Sequence, residues 1–204
     1  MRCSCRSDGH VFVIELSAMS AGEVRLVESR VRDKLRYVHD GGHAQLFTPV
    51  RGETEESVNM NAHAAEYAWC KYRGVAWSPL FVPGRFRLLP DAADGGQVRQ
   101  TRYTSGHLIL HPPGRGKGED DPADRFDLVT GTVPRFIWRG WLLARDGQHQ
   151  RYWREEGPGV PFAAYFVPQG ELHGWPYHDP GHVHEYARDA TGSWTCVSCG
   201  ERET

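Results

Sequence analysis

The amino-acid sequence predicts an α/β domain in which helices flank a mixed central sheet. The first observation is the order of predicted elements: a strand, two long helices, several strands, then a short helical turn and one more strand. A run of strands with helices before and after it is typical of a mixed sheet covered by helices. The second observation is the length of 204 residues, which suffices for one domain with a full core, or one domain with a small appendage.

Composition divides the chain near residue 175. The stretch before this point has the alternation of apolar and polar residues expected of a folded core, whereas the stretch after it is rich in His, Asp, Gly and Cys. We therefore predict an α/β domain over residues 1–174 and an appendage over residues 175–204.

The first half of the chain carries one strand signal and two helix signals. Residues 11–16 are rich in β-branched and aromatic side chains and predict a strand. Ser20 and Glu23 have the spacing of a capping box and predict a helix start. A second helix is predicted from roughly Glu55 to Arg73. The two apolar stripes consist of Val24, Val27, Val31, Leu35 and Val38, and of Val58, Ala62, Ala65, Trp69 and Tyr72.

Short strands dominate the second half. They are predicted at residues 86–89, 97–103, 107–111, 126–130, 136–143 and 163–167. We expect the first three to form a meander, in which consecutive strands pair. Residues 112–125 are rich in Gly, Pro and charge and predict a surface loop, and residues 148–156 predict a short helical turn.

Charge and hydropathy exclude several classes of protein. The formal net charge of -2 argues against a chain that coats nucleic acid non-specifically, but it is compatible with an enzyme whose basic residues occupy one face. No apolar stretch is long enough to span a bilayer, and no apolar signal region follows the N-terminus. We therefore expect no membrane partner and a cytoplasmic location.

Four polar residues form a candidate catalytic site. Glu66 projects from the second helix, Asp91 follows a proline, and Gln97 and Arg99 share one face of the next strand. Carboxylates and a carbonyl oxygen are ligands that Mg²⁺ prefers. The metal activates water and stabilises phosphate charge, and a neighbouring arginine adds to that stabilisation. Taken alone, Glu66 is interpreted as a solvated helix residue.

Several segments in a consistent order give the chain a family resemblance. They are residues 13–16, 64–68, 72–75, 90–91, 97–99, 107–109, 126–131, 137–141 and 164–169. Over roughly residues 11–172 the chain resembles a family of bacteriophage proteins with a PD-(D/E)XK nuclease-like (restriction endonuclease-like) fold. The resemblance implies a phage protein that works in the cytoplasm of the infected bacterial host, with nucleic acid as its partner.

The same resemblance assigns roles to the four residues. Glu66 is the helix acid, Asp91 the metal-binding aspartate, and Gln97 and Arg99 the pair on the following strand. The superfamily pattern has Asp or Glu where Gln97 stands and Lys where Arg99 stands. The implied function is a Mg²⁺-dependent phosphodiesterase, endonuclease or exonuclease. The alternative is a catalytically inactive nuclease fold that binds DNA or a host protein.

The appendage carries a candidate structural zinc site. Cys196 and Cys199 have zinc-knuckle spacing, and His182 and His184 lie upstream across a spacer that could form a hairpin. Two thiolates and two imidazoles would complete a tetrahedral site and stabilise a segment too small for a core of its own. A third function follows from this reading, in which the chain is a small interaction protein and the zinc appendage is the functional part.

Other zinc assignments remain open. Cys3 and Cys5 could complete a four-cysteine site with the C-terminal pair, and His178 could replace one histidine. Cys196 and Cys199 could also be free thiols.

An arginine-rich stretch is a candidate nucleic-acid surface. Arg139, Arg145 and Arg151 could contact phosphates beside the aromatic residues Trp138 and Trp141. Since large aromatics are usually core residues, we expect the tryptophans to be buried and the arginines to form a basic rim.

The remaining cysteine, Cys70, lies seven residues from His63 on the second helix. This spacing is two helical turns, too far for a nucleophile and its base, and it predicts a buried structural thiol.

Overall fold

A computed structural model describes most of the main domain. It covers residues 13–40, 53–77, 90–113, 120–157 and 162–174, and the backbone of two strands at residues 186–188 and 194–196. Within these residues the chain has a mixed α/β architecture with two helices of about five turns and two larger sheets. The predicted strand at residues 86–89 lies outside the described residues.

Both long helices begin where the sequence predicts, and α2 also ends there. Helix α1 (Ala21–Asp40) starts with a capping box, because the Ser20 N–H donates to Glu23 Oε2 at 2.8 Å and the Glu23 N–H donates to Ser20 Oγ at 3.3 Å. Helix α2 (Glu55–Arg73) ends at Gly74, whose φ of 66° is the left-handed conformation that glycine adopts without strain.

Strands β1 (Ile14–Glu15), β2 (Gln97–Thr101), β4 (Arg125–Thr132) and β5 (Arg135–Leu143) form the first sheet in the order β1-β5-β4-β2. Strands β4 and β5 make an antiparallel hairpin, β1 is antiparallel to β5, and β2 is parallel to β4. The predicted mixed sheet is therefore confirmed, and among the described residues β2 is one of its two edge strands.

The predicted meander is wrong for its last two strands, whereas its first strand, at residues 86–89, lies outside the described residues. Strand β3 (Leu108–Leu110) leaves the first sheet and pairs with β7 (Ala164–Val167), which also pairs with β6 (Trp153–Arg154). A turn in which the Gly106 N–H donates to Tyr103 O separates β2 from β3. Leu108 and Leu110 are fully buried in a different core from the one that takes Val98. Burial in two separate cores therefore outweighs the pairing of consecutive strands.

The segment after β5 also differs in detail from the prediction. Residues 148–156 were expected to form one helical turn. The structure has a 3₁₀ turn (Gln150–Tyr152) within this range, which leads into β6, and in addition a short helix, α3 (Ala144–Gly147), that directly follows β5 and was not predicted.

The hairpin of β4 and β5 separates two hydrophobic cores. On the helix side, Val129 and Trp138 pack with residues of α1 and α2. On the other side, Phe126, Leu128 and Leu142 pack against the second sheet. Each of these buried side chains contributes roughly 1.5–3 kcal/mol through its removal from water.

The C-terminal region contains a two-stranded antiparallel hairpin of β8 (Tyr186–Arg188) and β9 (Trp194–Cys196), with Tyr186 opposite Cys196. The expected hairpin between the histidine and cysteine pairs is thus present in the backbone. The other candidate zinc ligands, and the side chain of Cys196, lie outside the described residues: His178, His182, His184, Cys199, Cys3 and Cys5. In the described parts of the chain, neither long helix is apolar enough to cross a membrane.

Candidate functional site

Helix α2 buries Glu66 rather than exposing it. The side chain of Glu66 is only 12% exposed, so its interpretation as a solvated residue is wrong. Two neighbours hold its Oε2 atom: the His63 Nδ1 atom lies 2.8 Å away, and the Trp77 Nε1–H donates over 3.4 Å. A buried carboxylate with such donors has a fixed direction, as a metal ligand requires.

Asp91 lies in the turn that connects α2 to β2. Its Oδ2 atom accepts a hydrogen bond of 2.7 Å from the Val98 N–H. The turn itself closes through the Ala92 N–H, which donates to Gly96 O at 3.1 Å, and Ala92 also bridges to Trp77. Because Trp77 contacts both Glu66 and this turn, it links the two acids.

The two carboxyl groups act on each other electrostatically. Burial, and then the negative charge of Glu66, raise the pKa of Asp91 to about 8. The Val98 N–H and the charges of Arg99 and Lys34 oppose that rise. Glu66 and Asp91, predicted from the sequence to form one site, are therefore brought together, and in the absence of a cation Asp91 holds its proton at neutral pH.

Gln97 and Arg99 share one face of β2, and that face is turned away from α2. Val98, between them, packs into the core on the helix side. Arg99 lies over the Phe126 ring at 4.7 Å, on the side of the second sheet, and its guanidinium donates to Asp120 Oδ1 at 2.6 Å. The four predicted residues are thus split by the sheet, although the charge of Arg99 still reaches Asp91 across the edge.

Lys34 and His63 also belong to the site, although the sequence did not predict them as part of it. Lys34 Nζ on α1 lies 3.1 Å from His63 Nε2, and burial lowers the pKa of Lys34. The available signal was positional: Lys34 lies three residues after Val31 on α1, beside the apolar stripe.

A second buried charged cluster lies close by. The Arg125 Nε–H donates to Asp127 Oδ2 at 2.9 Å, and its terminal nitrogen donates to Asp94 Oδ2 at 3.2 Å. Arg73 pairs with the same Asp94 oxygen, and the Trp138 Nε1–H donates to Asp127 Oδ1 at 2.9 Å. The sequence signal for this cluster was Asp127 itself, an acid between the apolar residues Phe126 and Leu128.

The arginines of the predicted rim have separate surroundings. Arg145 is exposed, Arg151 contacts Glu171 at 3.4 Å, and the Arg139 Nε–H donates to Thr130 Oγ1 at 2.8 Å. Trp138 and Trp141 are buried in the core on the helix side, as predicted.

Cys70 is buried, as predicted for a structural thiol. Burial, together with the charges of Glu66 and Asp91, raises its pKa to about 12, so the thiol does not ionise at neutral pH.

The donor set of the acidic pair suits magnesium. The described residues contain no group of three or more His, Cys, Asp and Glu side chains arranged to hold a metal. Mg²⁺, however, needs only one or two carboxylates, because water and substrate phosphates complete its shell. Glu66 Oε1 and Asp91 Oδ1 accept no hydrogen bond from the described part of the chain, so one oxygen of each acid is available.

Comparison with protein-family models, with curated proteins and with solved structures gives no match. The resemblance to phage nuclease-like proteins therefore rests on the sequence segments alone.

Proposed function

We propose that this protein is a metal-dependent phosphodiesterase of the PD-(D/E)XK nuclease-like class that cleaves nucleic acid, with Glu66 and Asp91 as its Mg²⁺ ligands. The observation that carries the proposal is the buried acidic pair. Burial raises the pKa of Asp91 to about 8, and the negative charge of Glu66 adds repulsion to that rise. Such repulsion costs folding free energy unless a cation binds between the two acids.

Each residue of the acidic site has a defined role in this proposal. Bound Mg²⁺ supplies the activation of water and the stabilisation of charge on the phosphate. His63 and Trp77 orient Glu66, and the Val98 N–H orients Asp91. These fixed donors hold the two ligands in one geometry before metal arrives, which limits the entropic cost of binding.

Gln97 and Arg99 would assist from the far side of β2. Among the described residues β2 is the last strand of its sheet, so a nucleic-acid strand that lies along its open edge would reach both faces. Arg99 adds positive potential near Asp91, and Gln97 offers a neutral oxygen. Arg139, Arg145 and Arg151 would bind phosphates farther along the substrate.

The wider setting of the proposal follows from the resemblance. We expect a phage-encoded protein that works in the cytoplasm of the infected host, with Zn²⁺ at His182, His184, Cys196 and Cys199 stabilising the appendage.

A second candidate is a catalytically inactive nuclease fold that binds DNA or a host protein. The ion pair between Arg99 and Asp120, 2.6 Å long, favours this alternative, because it engages the cation that the superfamily pattern places in catalysis. In this case the acidic pair is a remnant, and the arginines carry the function.

A cleavage assay decides between the two. Single- and double-stranded DNA and RNA are incubated with Mg²⁺ or Mn²⁺ and wild-type protein, Asp91→Asn, or the matched control Asp33→Asn, an exposed acid on α1. We expect metal-dependent cleavage that falls at least about 100-fold in Asp91→Asn and is unchanged in Asp33→Asn.

The opposite results are equally informative. If folded wild-type protein cuts none of the substrates, the nuclease proposal is wrong. DNA binding that survives Asp91→Asn but weakens in Arg145→Ala would then support the inactive alternative. Loss of partner binding in Cys196→Ser, with the core still folded, would instead identify the appendage as the functional part.

A further inference from the structure

Three side chains from two helices form one hydrogen-bonded chain that ends at the acidic pair. Lys34 Nζ on α1 lies 3.1 Å from His63 Nε2 on α2, and His63 Nδ1 lies 2.8 Å from Glu66 Oε2. His63 is half-buried, with 23% of its side chain exposed. The chain therefore joins an ammonium group to a candidate metal ligand through a single imidazole ring.

The chemistry of its two ends determines the state of the ring. An ammonium group has only donors, so His63 Nε2 must accept from Lys34. A carboxylate has only acceptors, so His63 Nδ1 must carry the hydrogen that Glu66 accepts. The hydrogen bonds to Lys34 and Glu66 are therefore satisfied together when the hydrogen of the His63 ring lies on Nδ1.

We propose that Lys34 is a positioning residue of the Glu66–Asp91 site, which acts through His63 by fixing the tautomer and the direction of the ring that holds Glu66. Its catalytic importance rests on the proposed function, whereas the hydrogen-bonded chain does not. The role resembles that of outer groups in metal sites, where the partner of an imidazole decides which nitrogen faces the ligand.

Packing explains why a lysine occupies this place. Lys34 lies three residues after the fully buried Val31 on the face of α1 that contacts α2. Its methylene stem can pack against the helix pair while the ammonium reaches the site. The charges of Glu66 and Asp91 both act on the ammonium, which places it near the acidic pair.

Nuclear magnetic resonance of ¹⁵N-labelled full-length protein tests the proposal without any activity measurement. Long-range proton–nitrogen spectra at neutral pH distinguish a ring nitrogen that carries hydrogen from one that does not, and His63→Gln identifies the His63 signals among 11 histidines. In the wild type we expect hydrogen on Nδ1 and none on Nε2. Hydrogen on Nε2 of His63 would overturn the proposal.

Variants then test the part played by Lys34. Lys34→Met removes the donor and should shift the Nε2 signal, whereas Lys34→Arg keeps a donor and should restore it. Lys71→Met is the matched control, because Lys71 pairs with Glu23 at 2.7 Å instead of with His63. An Nε2 signal that is the same in Lys34→Met as in the wild type would show that Lys34 does not act on the ring.

Measurements of kcat test whether Lys34 also affects the proposed cleavage reaction. If the wild type cleaves nucleic acid, Lys34→Met should lower kcat about tenfold or more, and Lys34→Arg should recover most of it. Unchanged kcat in folded Lys34→Met would overturn the positioning role. An inactive wild type would defeat the proposed nuclease function instead, while the state of the His63 ring would still be decided by the spectra.

Discussion

The turn between α2 and β2 contributes one acid to each of two pairs, and the two pairs differ in how their charges are compensated. Asp94 and Asp127 are matched by Arg73 and Arg125, and a tryptophan N–H completes the cluster. Although burial raises it, the charges of the two arginines hold the pKa of Asp94 below its ordinary value. Across the turn, the pKa of Asp91 is raised to about 8 by burial and by Glu66.

The difference separates a structural cluster from a candidate binding site. In the Asp94–Asp127 cluster each acid is paired with an arginine, although burial still raises the pKa of Asp127. In the Glu66–Asp91 pair, burial and repulsion are left partly uncompensated by the protein, which is the condition that a cation relieves. Perturbed acids in such a place are candidates for function, whereas fully paired acids stabilise the fold.

The largest expected change in stability comes from a substitution in the Asp94–Asp127 cluster. Asp127→Asn leaves Arg125 buried with one partner fewer, so we expect the free energy of unfolding to fall by about 3–5 kcal/mol. Denaturant unfolding followed by circular dichroism measures it, with Asp33→Asn as the control for loss of an acid. A loss no greater than that of the control would mean that this cluster does not stabilise the fold.

Asp91→Asn should have the opposite sign. Folded Asp91 keeps its proton between its ordinary pKa, 3.8, and about 8, whereas the unfolded chain releases it in this range. Since the folded state then binds more protons, wild-type stability falls as pH rises from about 4 to 8. We expect Asp91→Asn to gain several kcal/mol relative to the wild type across this range. Parallel stability curves for the two proteins would contradict the raised pKa.

The smallest expected effect is the stabilisation of the folded protein by Mg²⁺. Mg²⁺ that binds only the folded state should stabilise the wild type by about 1.4 kcal/mol at ten times its dissociation constant, and should leave Asp91→Asn unchanged. Thermal unfolding with and without Mg²⁺ measures this difference, and Asp33→Asn should respond like the wild type. An equal response of Asp91→Asn would place the metal elsewhere.

Local signals account for what the sequence predicted correctly. Both long helices were predicted closely, because caps such as Ser20 and Gly74 and the apolar periodicity act over a few residues. Strand pairing was predicted less well, since the parallel partner of β2 lies about 30 residues away. The pairing depends on which core takes Val98, Leu108 and Leu110, and no local pattern specifies this choice.

The candidate site was predictable in part for the same reason. Asp91 was found because it follows a proline and precedes a strand, and the family resemblance placed Glu66 beside it. The burial of Glu66 could not be predicted from its type, since acids are rarely buried. Lys34 and His63 were missed because their importance depends on how α1 packs against α2.

The topology of the first sheet also bears on the order in which its strands pair during folding. The β4–β5 hairpin closes through a two-residue turn, whereas β2 must pair with β4 over a separation of 29 residues, as in Gln97 with Phe126. Loop closure of that length costs more entropy, so the hairpin forms before the parallel pair. Since Asp91 is held by the Val98 N–H of β2, the acidic pair assembles only with that later step. We therefore expect the two repelling acids to come together only after the β4–β5 hairpin has formed.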